Sequence, residues 1–321
     1  MKRNIAIDTL RGIACILLVS YHVVGANQLQ GLKLNEGFYK ELNEILIYLR
    51  MPLFTFLSGI VYAYHPFSGQ SKKYIVGKFK RLIIPMLIVG TTFSIIQTLT
   101  PGTNANVENW YLLHIKPVGH FWFLEAIFII FLLMIPLEKL NVFSSVFKTG
   151  CLLLISLILY LSDLKIGYFA ITGTLYLFPY FILGVTLVRL KIDTKLRLKF
   201  GALMIIFAIT LLYILKTSYL ILPDKMTLIG FFLGASSCLG LFSIGYRNSF
   251  LAKIGVYSYS IFLYHVFFTA GSRILFNKLG VDSINILFFL GLILGILGPV
   301  IIELISIKNK HSRLLFLGST K

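Results

Sequence analysis

The sequence predicts an all-α integral membrane protein, a bundle of about ten transmembrane helices with both termini cytoplasmic. Three observations lead there. Of 321 residues, 57% are hydrophobic and only 13% charged, with a mean hydropathy of +0.87; a soluble domain carries roughly 25% charged residues. The apolar residues gather into runs of about 20, the length that crosses a bilayer as a helix. The positive charges concentrate in alternate connections between those runs. Together these exclude a cytosolic enzyme, a disordered chain and a disulfide-stapled secreted domain. Cys15, Cys151 and Cys238 lie within or at the edge of apolar runs and offer neither a disulfide framework nor a metal-ligand spacing. No metal site is expected.

The predicted spans cover 6–26, 44–64, 82–99, 120–138, 149–162, 169–188, 200–215, 226–245, 254–276 and 285–307. The fifth and seventh are the shortest. The connections are brief, so residues 1–321 read as one transmembrane domain with no internal repeat. The first run lacks a small-residue cleavage site and contains Asp8, Arg11 and His22, which marks it as a retained helix rather than a signal peptide. Counting Lys and Arg in alternate connections gives 20 on one side and 8 on the other, with Arg11 and Arg50 inside spans completing the 30. The positive-inside rule places the richer set, and with it both termini, in the cytoplasm. Those inner connections carry only Glu138 and Asp193 as acids, so most of the net charge of +18 faces one side. That face suits anionic membrane lipid or a polyanionic cytosolic ligand. Nothing resembles a nucleic-acid reading module, and no nucleic-acid partner is expected.

Ionisable residues at bilayer depth are costly and mark functional candidates. Arg11 and His22 are eleven residues apart, about 16 Å along a helix and within about 20° of the same face. Asp8, one turn from Arg11, is placed to pair with it. The stripe thus has Arg11 in the inner half and His22 in the outer half, although a snorkelling arginine and a carbonyl-capping histidine would look the same. Arg50 begins the second span, interfacial or functional. Met51-Pro52-Leu53-Phe54 leads to Ser58-Gly59, which suits close helix packing. Lys78 and Arg81, at i and i+3 before Pro85, are spaced to hold phosphate oxygens if that stretch is helical. Glu125 follows Phe121-Trp122-Phe123-Leu124, an aromatic belt at an interface. Tyr264 and His265 close the ninth-span run Gly255-Val256-Tyr257-Ser258-Tyr259-Ser260-Ile261-Phe262-Leu263. Glu303 falls near the inner end of the last span, at the depth of Arg11, where an ion pair would fit. His65, His114 and His120 receive no role.

An imidazole in a partly desolvated cavity takes a proton from a hydroxyl, because it titrates near working pH. A carboxylate beside it orients the ring. These groups suit hydroxyl attack on an activated carbonyl, while inner cations suit a phosphate-bearing donor. A proton-coupled transporter, or a flippase for a lipid-linked sugar, would place the same residues in its spans.

The motifs also carry a resemblance. Ile7-Asp8-Thr9-Leu10-Arg11-Gly12 followed by Tyr21-His22 resembles the R-x10-H signature of the membrane-bound acyltransferase 3 family. Met51-Pro52-Leu53-Phe54 to Ser58-Gly59, Lys80-Arg81 before Pro85, Phe121-Trp122-Phe123-Leu124, Phe178-Pro179-Tyr180-Phe181-Ile182-Leu183-Gly184 and Ile254-Gly255 to Tyr264-His265 resemble its later helices in order. The resemblance implies a stand-alone, acyl-CoA-dependent O-acyltransferase without a fused extracytoplasmic domain. Such a protein would move an acyl group, expected to be acetyl, from cytoplasmic acyl-CoA to a hydroxyl of a carbohydrate acceptor on the outer side, a surface or lipid-linked polysaccharide. It implies a multi-pass protein of a bacterial inner membrane, with acetyl-CoA as donor and no permanently bound cofactor. Carried over, His22 is the base or acyl relay and Arg11 its partner or a donor-positioning group, with Lys78 and Arg81 expected at the donor. From the residues themselves, Glu125 or another carboxylate is expected to orient His22, Arg50, Tyr264 and His265 to bind the acceptor, and Asp8 and Glu303 to support the site. Some relatives have R-x-x-R where this chain has Lys78-Phe79-Lys80-Arg81; a lysine keeps the charge and loses the bidentate fork.

Overall fold

The computed structural model describes residues 4–101, 103, 109–189, 194–218 and 222–319, with the main chain alone for 194–197. Of the charges counted on the inner connections, Lys2, Arg3, Lys191, Asp193 and Lys321 lie outside the described residues, as do the side chains of Lys195 and Arg197. The described chain forms α1 (Ile5–Val24), α2 (Phe38–Ile45), α3 (Ile47–Tyr64), α4 (Ser71–Lys78), a π-helical turn (Phe79–Ile83) and α5 (Ile84–Leu99). It continues with α6 (Trp122–Lys139), α7 (Val146–Leu161), α8 (Ile171–Arg189), α9 (Thr194–Ser218), α10 (Leu228–Ile244), α11 (Ser249–Val256), α12 (Ser258–Lys278), α13 (Ile284–Ser306) and α14 (Lys310–Leu317). Among the described residues there is no strand. The fold is all-helical.

Among the described residues, seven helices are long and apolar enough to cross a membrane, and an eighth qualifies if α10 and α11 count as one bent span. The expected ten runs are all helical, but not all meet that measure. Helix α7 is apolar yet only 16 residues long. Helix α12 has 21 residues, diluted by Ser258, Tyr259, Ser260, His265, Ser272 and Arg273. The third run is longer than expected, because α4 and the π-helical turn extend α5 back to Ser71.

The ninth run, expected to be continuous from 254, is broken near its start. Gly245 adopts a left-handed φ of +66° and ends α10. The Asn248 side chain then accepts from Leu251 N at 2.9 Å and starts α11. Helices α10 and α11 therefore meet at 119°. Residues 254–256 complete α11, which closes at Tyr257, and α12 begins only at Ser258. Helix α11 lies along α1 instead, with backbones in contact. A Cβ on Gly12 would sit 2.0 Å from the Leu251 carbonyl oxygen, and one on Gly255 would sit 1.9 Å from that of Asp8. Thr9 Oγ1 fastens the pair, accepting from Asn248 N at 3.1 Å and donating to its carbonyl at 3.2 Å. Helices α3 and α8 meet in the same way, with Gly59 against Phe181 O and Gly184 against Phe56 O, each 2.2 Å from a Cβ. The Ser58-Gly59 step thus serves packing, as its composition indicates.

These contacts put the starts of α1 and α12 at one end of the bundle. The end of α13 joins them there, since Ser260 Oγ donates to the Glu303 carboxylate. Helix α14 folds back over this terminal end. At the opposite, distal end, Tyr39 bonds Asn285 at 2.7 Å and Lys216 bonds Glu41 at 2.6 Å. His22 lies towards the distal end, in the last turn of α1.

Candidate active site

Gly25, with φ +97°, stops α1 just after His22 and turns the chain towards α2. Asn43 Nδ2 donates to the Gly25 carbonyl at 2.9 Å. Arg50, in the first turn of α3, in turn donates from Nη2 to both the carbonyl and Oδ1 of Asn43, each at 2.7 Å. Its guanidinium lies 4.3 Å from the centre of the Tyr21 ring. Arg50 is thereby only 4% exposed. Its guanidinium is therefore held inside the protein rather than extended from its surface.

The His22 ring meets two other imidazoles. Its centroid is 4.8 Å from that of His265 on α12 and 5.8 Å from that of His120, which precedes α6. His120 and His265 are 4.9 Å apart, closing the triangle. Backbone carbonyls set the tautomers of two members. His265 Nδ1 lies 2.8 Å from Ile261 O and 3.0 Å from Phe262 O, so the proton is on Nδ1. Its Nε2 is buried without a hydrogen-bond partner among the described residues. His120 Nε2 donates to Leu263 O at 3.4 Å, leaving Nδ1 bare. A bare imidazole nitrogen is an acceptor or base, so the cluster is equipped to receive protons.

The three rings do not share one role in the cavity wall. His22 and His120 line a cavity of about 590 Å³ that opens among the distal loops, whereas His265 is fully buried behind them. Tyr21, Arg50, Trp122, Tyr176, Lys116 and Lys225 complete much of the lining. Lys225 Nζ sits 5.1 Å over the Tyr176 ring. Burial lowers the Lys225 ammonium from the ordinary lysine value, with Asp224 offsetting part of the shift and Arg50 adding to it. One loop wall is pinned by a 2.9 Å bond between Thr91 Oγ1 and His114 Nε2. Burial lowers the His114 imidazole from its usual value, which keeps it neutral.

The remaining predicted residues are placed elsewhere. Glu125 is 6% exposed in the first turn of α6. Neither carboxylate oxygen has a hydrogen-bond partner among the described residues, so none links it to His22. The groups packed against the His22 ring are instead two imidazoles and Tyr21. His120, which its sequence position in a connection left without a role, enters the cluster because the start of α6 meets α12. Phe123 and Phe262 make that contact, their rings 5.1 Å apart. Arg11 pairs with Asp8 at 3.2 Å, as the i,i+3 spacing indicates. Glu303 accepts from Ser260 and forms no ion pair with Arg11 among the described residues.

At the terminal end, Lys78 lies 3.5 Å over the Phe131 ring, and Arg81 donates to Leu317 O at 2.7 Å while resting 4.1 Å over Tyr259. Tyr259 returns a hydrogen bond to Arg81 O. Tyr264 donates to Phe316 O at 2.9 Å and does not line the cavity. Arg81 and Tyr264 thus hold α14, through contacts invisible in the sequence because their partners are 236 and 52 positions away.

A family model described as an acyltransferase domain matches residues 4–304. The chain belongs to the membrane acyltransferase 3 family. The match spans α1 to α13 and stops before α14, so the histidine cluster and the whole cavity lie within the acyltransferase 3 domain. No curated protein and no solved structure matches the chain. Membership supports acyl transfer by a multi-pass membrane protein.

Proposed function

We propose that this acyltransferase 3 protein moves an acetyl group from cytoplasmic acetyl-CoA to a hydroxyl of a carbohydrate outside a bacterial inner membrane. The observation that carries the reading is the meeting of His22 with His265 and His120 at a distal cavity, on the helix that also holds the Arg11–Asp8 pair about 16 Å away at the terminal end. In this reading ten helices cross the membrane, α7, α10 and α12 among them, and both termini face the cytoplasm. The charge asymmetry between alternate connections supports that orientation.

The donor approaches from the terminal end, where Arg11 and the cations around the π-helical turn meet its phosphates, and the acceptor enters the distal cavity. The acceptor oxygen attacks the thioester carbonyl, a new C–O ester bond forms, and the C–S bond breaks. His22 takes the hydroxyl proton and returns it to the departing CoA sulfur, so the products are an ester and free CoA thiol. His265, anchored through Nδ1–H, packs its ring edge-to-face against His22, 4.8 Å between centroids, and limits how that ring can turn. Glu125 supports the same region from α6.

Mass spectrometry of surface glycan from host cells, carrying no protein, wild type or His22→Ala, tests the reading. It expects an acyl increment with wild type alone. An equal increment from the variant would remove His22 from the chemistry. No increment together with no consumption of acetyl-CoA would favour a carrier.

A further inference from the structure

The distal cavity has a charge pattern that acyl transfer to a hydroxyl does not require. Arg50, Lys116 and Lys225 line it, and among the described residues no carboxylate does. Glu108, beside the lining residue Asn109, lies outside the described residues. Arg50 is the most telling of the cations. It is 4% exposed, its hydrogen bonds go to neutral Asn43, and its Nε is buried without a partner among the described residues. No ion pair among the described residues neutralises it. An uncompensated buried charge is costly, so its retention at a cavity wall calls for an anionic occupant. Tyr21, Trp122 and Tyr176 add aromatic faces against which sugar rings can lie, and Gln30, Gln97 and Asn109 add amides for hydroxyl recognition.

Resting on the acceptor assignment above, we infer that the distal cavity selects an anionic saccharide, one whose carboxylate or phosphate is met by Arg50, Lys225 and Lys116 while a hydroxyl reaches His22. The cations belong to the acceptor rather than to the transferred acyl group. The α1 stretch between Arg11 and His22 is Ile13-Ala14-Cys15-Ile16-Leu17-Leu18-Val19, with no cation along it. All three instead line the distal cavity, Lys116 and Lys225 from loops and Arg50 from α3 beside Tyr21.

Binding, which needs no turnover, tests this. Purified protein in nanodiscs of zwitterionic lipid is titrated with a glucuronate-bearing tetrasaccharide, its carboxyl-reduced neutral counterpart, and a glycerol-phosphate oligomer. At least one anionic probe should bind tenfold or more tighter than the neutral one at low salt, and the margin should shrink as salt rises. The two anionic arms separate carboxylate from phosphate recognition. Arg50→Gln and Lys225→Gln should each cut the margin several-fold. Lys225 sits in a loop, so its variant keeps the test intact if Arg50→Gln does not fold. His22→Ala should keep the margin while losing transfer, so a failed acyltransferase reading would show in turnover and not here. The inference is overturned if the neutral probe binds as well as both anionic ones, if no probe binds, or if both variants keep the margin. It is also overturned if phosphatidylglycerol added to the nanodiscs binds and neither oligosaccharide displaces it, which would assign the cavity to lipid headgroups.

Discussion

A histidine serves as a base only when one nitrogen is bare and the ring is held still, and the three imidazoles here differ in how this is arranged. His265 and His120 are fixed by carbonyls of one α12 stretch, Ile261, Phe262 and Leu263. His22 is held by rings, with Tyr21 4.9 Å away and His265 4.8 Å away. Removing the base with His22→Ala should lower transfer by roughly 10²–10⁴-fold, with an unchanged size-exclusion profile; turnover near wild type would dismiss it. His120→Phe keeps an aromatic ring and loses both the bond to Leu263 O and the bare Nδ1. Its expected cost is about tenfold in turnover, the equivalent of roughly one hydrogen bond, read from initial rates of acetyl-CoA consumption. The spacing of Arg11 and His22 on one helical face was legible in the sequence. The partnership of His22 with His120 was not, because it depends on how the start of α6 meets α12, and no local pattern encodes that.

Helices in a bilayer gain little from burying apolar surface and depend on close packing, so the glycines at α1–α11 and α3–α8 control stability. Gly12→Ala would place its methyl 2.0 Å from Leu251 O, a backbone atom that cannot step aside. The expected loss is about 1–3 kcal/mol, visible as a lower midpoint of thermal denaturation in detergent. A methyl added at Gly150 on α7 would meet nothing within 4 Å among the described residues. Gly150→Ala should therefore leave the midpoint unchanged or raise it, since alanine favours a helix interior by up to about 1 kcal/mol. A loop element offers a pH test. Burial lowers the His114 imidazole from its ordinary value of 6.5. Its neutral form therefore stabilises the fold fully above that value, and this contribution is lost as pH falls below it towards the folded-state value. Protection factors for amide exchange in residues 110–119, with the intrinsic pH dependence divided out, should fall as pH drops through the ordinary histidine value, and less so in Thr91→Val, where the His114 bond is already gone.

Across the whole molecule, the two ends have separate chemistry. The distal end holds the histidines, the cavity and its cations; the terminal end holds Arg11, the π-helical turn and α14. Arg81 clamps α14 through Leu317 O and Tyr264 through Phe316 O. Arg81→Ala should speed tryptic cleavage at Lys310 and Arg313. If Arg81 also meets the donor, the same variant should raise the KM for acetyl-CoA with little change in kcat; faster cleavage with an unchanged KM would confine Arg81 to the clamp. The orientation can be read with an impermeant thiol reagent in a chain whose own cysteines are replaced. Lys308→Cys should react only from the cytoplasmic side and Lys33→Cys only from the outside.

The sequence by itself determined the class of this protein, an all-helical membrane chain, and through ordered motifs its acyltransferase 3 family. Apolar runs, charge asymmetry and one-helix spacings are local properties, and each helix satisfies its own backbone hydrogen bonds within the bilayer. The Asp8–Arg11 pair and the shared face of Arg11 and His22 belong to the same local category. Only the tertiary structure decided which helices meet. It split the start of the ninth run into α11 and laid that helix on α1, turned Tyr264 and Arg81 towards α14, left Glu125 without a hydrogen bond to His22, and brought His120 from a connection into the histidine triangle. Those outcomes rest on side chains and backbones far apart in the chain, where the fit of one glycine against one carbonyl selects the partner.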